Sequence, residues 1–515
     1  MTQTIPPDTS DRVRGRISPA DVLAFAGVVL LGLLNLANPF TGDQSLFAVG
    51  GRMMADGGVY YREMWDIKQP GIYLFYEAGG RLFGFGAVGV HLFELIWMAA
   101  FAVVLLVTLR PWIVRDWVRA LAVFVAVGGY YVVVEATSQT LIEALVAFPM
   151  YLALWASLQA VAQPERRTRW LVAMGVAAGF VGAFKLLLLA VPMVFVVTAA
   201  FELRRRQRVS GRDLFRGALA VVGGVVLVLG PFVIYYAAIG LGGLLYRTTF
   251  VYPPQITRLG GMHTGPLLRE LVKRFAEDLG ALALLAAVGV WVRWRAKRLD
   301  LLTINLVGWV VVGVLVLLTQ KWNRYQTQLL LVPLALLAVG CLDDVRARVS
   351  RTVGAVLAVV VAIGLLGPAR VEAGKAVKLA RHGGALSAAD REAYRRDVVR
   401  EYRVIDDEVH ALGGLPGSEP IYVLGNPLYY VLLDRTQAMP LNGWSPEQWL
   451  GDQWRDFASQ LGSTLPRYVF VDHFSAPLLR DHPDAQAVLD EHYKVRWTSP
   501  SSETFAGTWY ERVDG

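Results

Sequence analysis

Long stretches without a single charge alternate along this chain with short, strongly basic connectors. Val22–Leu36, Met98–Leu109, Ala120–Val134, Leu219–Tyr236, Leu301–Leu318 and Val353–Leu366 contain no Asp, Glu, Lys or Arg. A helix crosses a bilayer with roughly 20 mainly apolar residues, and these runs reach that length once their flanks are added. Lipid offers no partner to free backbone groups, and the runs lack the alternation of barrel strands, so helical spans are predicted. Trp170–Phe201 is too long for one span and short for two. It is expected to cross twice, as a hairpin turning near Lys185. The pattern as a whole predicts a polytopic α-helical membrane protein with about eleven transmembrane helices.

The basic connectors set the expected orientation. Arg12, Arg14 and Arg16 precede the first span, and further clusters lie at Arg110/Arg115/Arg119, Arg166/Arg167/Arg169, Arg204–Arg212, Arg293–Arg298 and Arg346–Arg351. Positive charge is retained on the cytoplasmic side, and all six clusters fall on one side when the spans alternate. The expected division is a cytoplasmic N-tail (1–19), a transmembrane domain (20–368) and an extracytoplasmic domain (369–515). The first outer loop, 38–72, is polar and aromatic and reads as two short amphipathic helices at the interface.

Beyond residue 368 the pattern is that of a small α/β domain. Ile421–Leu424 and Tyr468–Val471 read as buried strands, Ser387–Leu412 as a charged helix, and Tyr493–Trp497 with Thr508–Val513 as a terminal strand pair.

Composition agrees with the membrane class: 55% of residues are hydrophobic and 18% charged, against about 25% charged in soluble domains. The net charge of +8 resides in the connectors. It therefore reads as topology rather than as a nucleic-acid surface. The single Cys341 sits in an apolar run and reads as a small buried side chain. The polar, basic start and the absence of a cleavage site after the first apolar run predict a retained span. A multi-pass protein of the plasma (inner) membrane is expected.

Ionisable groups at span ends are the candidate chemistry, because charge at membrane depth is costly. Asp43 and Gln44 lie in Asn38-Pro39-Phe40-Thr41-Gly42-Asp43-Gln44, just after the first span. Asp66 and Lys68 lie in Trp65-Asp66-Ile67-Lys68-Gln69-Pro70-Gly71, which also reads as a surface turn. Glu135 and Glu143 flank the short turn between the third and fourth spans, where a solvated turn is the plainer reading. Lys68, Lys185, Lys321 and Arg324 collect on the expected outer side, against the trend. Lys185 stands alone among leucines. It either snorkels to the headgroups or helps line an anion site such as a lipid phosphate.

In this order the residues resemble the GT-C superfamily of polyprenyl-phosphate-sugar-dependent glycosyltransferases. They are closest in style to its family 39 group, which takes in protein O-mannosyltransferases, lipid A aminoarabinose transferases and the RgtA/B/C/D-like domain. The resemblance rests on Gly42-Asp43-Gln44, Gly57-Gly58-Val59-Tyr60-Tyr61-Arg62 and Asp66-Ile67-Lys68-Gln69-Pro70-Gly71. It continues through Ala178–Lys185 and through Lys321-Trp322-Asn323-Arg324-Tyr325 with Leu331-Val332-Pro333. It covers residues 20–345. Gln44 departs from the second acid that many members carry, and Gln69-Pro70 from the usual Pro-Pro.

The resemblance implies roles. Asp43 becomes the first-loop carboxylate, with Asp66 and Lys68 as an acid–base pair whose lysine lies near the donor phosphate. Glu135, or less well Glu143, matches the acidic residue of the second outer loop. Lys185, Lys321 and Arg324 become phosphate-contacting cations, with Gln44 and Arg62 as further candidates. The implied reaction is sugar transfer from a polyprenyl phosphate to an acceptor hydroxyl on a glycan, lipid or protein. It proceeds with inversion and requires no metal or other cofactor. A transporter or lipid flippase is the competing expectation. Such proteins favour broken helices at the midplane and paired halves, which this sequence does not show.

Overall fold

The computed structural model describes residues 17–133, 138–259, 265–320, 323–348 and 350–513. The chain opens with α1 (Pro19–Asn35), whose first turn is closed by a reciprocal capping box between Ser18 and Asp21, with Pro19 at the first helical position. Two helices of the first inter-span segment follow, α2 (Gly42–Ala55) and α3 (Pro70–Phe83). The second begins at Pro70, where the fixed φ suits a first turn, and ends at Gly84, whose φ of +96° excludes a side chain. The segment therefore runs beyond residue 72, to the start of α4 (Ala87–Thr108).

The bundle continues with α5 (Asp116–Val133), α6 (Ile142–Ala162), α7 (Arg167–Phe184), α8 (Leu186–Arg206), α9 (Gly211–Ala238), α10 (Gly265–Arg295), α11 (Leu301–Leu318), α12 (Leu331–Gly340) and α13 (Arg351–Arg381). Seven helices among the described residues are long and apolar enough to cross a membrane: α4, α5, α6, α8, α9, the 268–295 part of α10, and α11. The 170–201 stretch is broken at Lys185, whose extended backbone separates α7 from α8. Glycines seat α7 against α9. A Cβ on Gly175 would lie 2.0 Å from the carbonyl oxygen of Val221, and one on Gly224 2.3 Å from that of Val172. Such close backbone approach is the usual device of helix packing in lipid. The opposite face of α9 leaves Val222, Val226, Leu227, Val233 and Ile234 exposed, as a lipid-facing helix requires.

At one end of the bundle sit basic groups with acidic partners. Arg119 forks onto buried Asp21 at 2.8 and 2.9 Å, and Arg293 meets Asp344 at 2.9 Å. The other end carries the candidate residues and the C-terminal part of the chain.

Helix α13 runs unbroken across position 368. The charged stretch expected as one helix is two, α14 (Ala388–Val398) and α15 (Arg400–Ala411), because Val399 turns extended and buries its side chain. Four strands, β1 (Tyr422–Leu424), β2 (Tyr468–Asp472), β3 (Tyr493–Thr498) and β4 (Gly507–Arg512), form a sheet of order β1-β2-β4-β3. The pair β1/β2 is parallel and the other two pairs are antiparallel. An extended stretch adds parallel bridges to the free edge of β1, Gln437 to Ile421 and Gly443 to Leu424.

Candidate active site

The site grows from the capping box that starts α2. The Thr41 amide donates to Gln44 Oε1 at 3.0 Å, and Gln44 Nε2 donates to the carbonyl of Gln139 at 2.7 Å. Gln44 thus fixes the helix start and the next inter-span turn. Gly42 takes a φ of +46° and lies under the ring of Trp444, 3.1 Å from where a Cβ would be. Asp43 follows, in the first turn of α2.

Three elements converge on Asp43. Its Oδ1 lies 3.4 Å from Lys68 Nζ and accepts the Trp444 indole N–H at 2.7 Å, while its Oδ2 accepts from the Tyr325 hydroxyl at 3.3 Å. Lys68 Nζ also lies 3.3 Å from Asp66 Oδ2 and 5.2 Å from the centre of the Phe47 ring. Asp66 is buried. Its Oδ2 accepts from the Tyr73 hydroxyl at 2.7 Å and its Oδ1 from the Ile67 amide at 2.7 Å. The Lys68 backbone is held in turn, because its carbonyl accepts from the hydroxyls of both Tyr60 and Tyr61 at 2.9 Å. Burial acts to lower the Lys68 ammonium, but the Asp43 and Asp66 carboxylates outweigh it and hold it above its ordinary value. Lys68 is therefore a permanent cation between two acids.

A second ion pair adjoins this cluster. Lys185 Nζ donates to Glu143 Oε1 at 2.8 Å. The 66–71 turn is placed beside it by backbone contact. Gly71 packs on α7 so closely that a Cβ would stand 2.5 Å from the Ala183 carbonyl oxygen, and Gln69 Oε1 accepts from the Leu186 amide at 3.4 Å. Tyr325 lies within electrostatic reach of both Asp43 and Glu143, linking the two pairs.

Asp43, Asp66 and Lys68 therefore share one cluster, with Glu143 and Lys185 at its side. Arg324 is adjacent in sequence to Tyr325, but its guanidinium makes a two-point contact with Asp278 on α10, at 2.9 and 2.6 Å. Nothing in the sequence pairs these two residues, which lie 46 positions apart. Arg62 is exposed and donates to the carbonyl of Ile239 at 3.1 Å, outside the cluster. Glu135 and Lys321 lie outside the described residues.

Tyr73, Tyr325 and Trp444 were not singled out from the sequence. Tyr73 reads as one more aromatic residue on an apolar helix, and Tyr325 follows the more conspicuous cations Lys321 and Arg324 in sequence. Trp444 is 401 residues from the carboxylate it touches.

No protein-family model matches the chain, and no curated protein matches it by sequence. Solved structures do. The bundle with its two inter-span helices has the GT-C glycosyltransferase fold. One of the matching structures is ArnT from Cupriavidus metallidurans. Its apo structure aligns with a TM-score of 0.61 at 17% identity, over 96% of this chain and 97% of that one. The same protein bound to undecaprenyl phosphate gives a TM-score of 0.58 at 15% identity, over 96% and 98%.

Proposed function

We propose that this protein transfers a sugar from a polyprenyl-phosphate donor to an acceptor hydroxyl at the membrane surface, with inversion at the anomeric carbon. The observation that carries this reading is the placement of Lys68 between Asp43 and Asp66 at one end of an apolar bundle. The likeness to a protein solved with undecaprenyl phosphate supports a lipid-linked donor.

In this reading the donor phosphate docks on Lys68 and Lys185 while its polyprenyl tail remains in lipid. Docking draws Lys68 partly away from Asp43, and the carboxylate becomes a better base. Asp43 takes the proton of the acceptor hydroxyl as that oxygen bonds to the anomeric carbon. The bond from that carbon to the phosphate oxygen breaks, and its electron pair leaves with the phosphate. Lys68 and Lys185 stabilise the charge that develops there. Asp66 and Tyr73 keep Lys68 in position. These cations supply the electrostatics, so the reaction uses no metal, and EDTA leaves its rate unchanged. The N-terminus faces the cytoplasm of a plasma-membrane protein, and the α/β domain lies with the acceptor outside. The acceptor is a glycan, lipid or protein hydroxyl.

The test is reconstitution in liposomes with radiolabelled polyprenyl-phosphate hexoses and pentoses and a cell-envelope extract as acceptor. Label passing from the lipid to a new product supports the enzyme. Labelled lipid moving between leaflets, without transfer from any donor, replaces the proposal with a flippase.

A further inference from the structure

The carboxylate assigned as the base is held by a side chain from the far end of the chain. Trp444 lies just past the extended stretch that lines the free edge of β1, and its indole N–H donates to Asp43 Oδ1 at 2.7 Å. The contact is built from both sides. The Trp444 amide donates to Asn442 Oδ1 at 3.0 Å, and Asn442 Nδ2 donates to the Trp65 carbonyl at 2.6 Å. The Trp65 amide donates to the Pro440 carbonyl at 2.6 Å, so residues 440–444 are stitched to the residue preceding Asp66. Beneath the ring lies Gly42, whose positive φ of +46° favours glycine and where a Cβ would stand in tight contact, 3.1 Å from the indole.

We infer that Trp444 is a positioning residue for the transfer reaction, and that the α/β domain thereby completes the active site. This rests on the glycosyltransferase reading above. Two donors, the indole N–H and the Lys68 ammonium, lie on Oδ1. Among the described residues Oδ2 meets the Tyr325 hydroxyl. Oδ2 is therefore the oxygen left to face an acceptor. With the indole fixed under backbone control, the carboxylate cannot rotate to offer Oδ1 instead. Among the described residues, the groups that face Asp43 are Lys68 from the 66–71 turn, Tyr325 from the segment entering α12 and Trp444 itself, with Tyr73 and Tyr76 of α3 within electrostatic reach. Asp66 acts through Lys68.

The test is Trp444→Phe in the full-length, reconstituted protein, which keeps an aromatic ring over Gly42 and deletes the N–H. Freeing the carboxylate to rotate lowers kcat about tenfold to a hundredfold, the usual cost of a misplaced catalytic group, while KM for the polyprenyl-phosphate sugar stays within about twofold. The loss persists at saturating donor and in single-turnover transfer, because it lies in the orientation of the base rather than in binding. A role confined to holding the sheet in place would lower the amount of active protein and leave the rate per active site unchanged. A Trp444→Phe enzyme with unchanged kcat overturns the inference, as does one whose defect lies wholly in KM.

A second measurement is independent of turnover. The Trp444 indole N–H resonance, assigned by its absence in Trp444→Phe, is expected to shift on Asp43→Asn, and a resonance indifferent to that change overturns the inference. If the wild type transfers no sugar, the functional reading falls, and the resonance still decides the contact.

Discussion

Lys185 and Glu143, 42 residues apart in sequence, form a 2.8 Å ion pair in which the glutamate is buried and the lysine only partly so. Removing the cation alone strands a carboxylate in the bundle. Lys185→Met is therefore expected to cost about 1–3 kcal/mol, at the low end for buried pairs because Lys185 is partly solvated. Adding Glu143→Gln removes the stranded charge and restores most of the loss. Thermal unfolding in detergent reads this. Donor KM separates the second role of Lys185, since it stays raised in the double variant although stability returns. A double variant as unstable as Lys185→Met contradicts the pairing.

Gly71 sets how closely the 66–71 turn approaches α7. A methyl group there meets the Ala183 carbonyl oxygen at 2.5 Å and the Phe184 nitrogen at 2.9 Å, both backbone atoms that cannot swing aside. Gly71→Ala is expected to destabilise by about 1–3 kcal/mol, the usual range for overpacking. It also displaces Lys68 from Lys185, so activity falls more than stability accounts for. Parallel melting curves and transfer rates test this, and a variant with wild-type values of both removes the close approach from the account.

At the end of β2, burial pushes the Asp472 carboxyl up to about 6, partly offset by the hydrogen bond that the Ser475 amide donates to Oδ1 at 2.7 Å. The folded value exceeds the unfolded one, so the fold favours the protonated acid. Its contribution is full below about pH 4 and is lost as pH rises through about 6. The difference is on the order of 2–3 kcal/mol. Full-length protein should melt at a lower temperature at pH 8 than at pH 5, and Asp472→Asn should flatten that dependence. An Asp472→Asn variant with the wild-type pH dependence contradicts the assignment.

The bundle was legible in the sequence because lipid imposes a strong rule. Each span must be long and apolar, and Lys185 marked the break in Trp170–Phe201 because extended backbone there is where a lone cation can find a partner. Asp43, Asp66 and Lys68 were legible as ionisable groups at span ends. What they touch was not. Asp66 is satisfied by Tyr73, Arg324 is taken by Asp278, and Asp43 is held by Trp444. All three are set by tertiary packing across 7, 46 and 401 residues. An aromatic residue on an apolar helix, or a tryptophan in a loop beside the C-terminal sheet, carries no period or spacing that reveals such a partner. The single charged helix expected over 387–412 failed for a related reason. Burial of Val399, Tyr402 and Ile405 against the sheet prevailed over local helical preference.

The central claim is that Asp43 removes the acceptor proton, and its most direct measurement is single-turnover transfer from a radiolabelled polyprenyl-phosphate sugar by Asp43→Asn. The substitution keeps the size of the side chain and an oxygen for the Trp444 indole. Transfer is predicted to fall by about two orders of magnitude or more, with donor binding not weakened, because Lys68 is then freed for the phosphate. Transfer by Asp43→Asn at the wild-type rate would contradict the account.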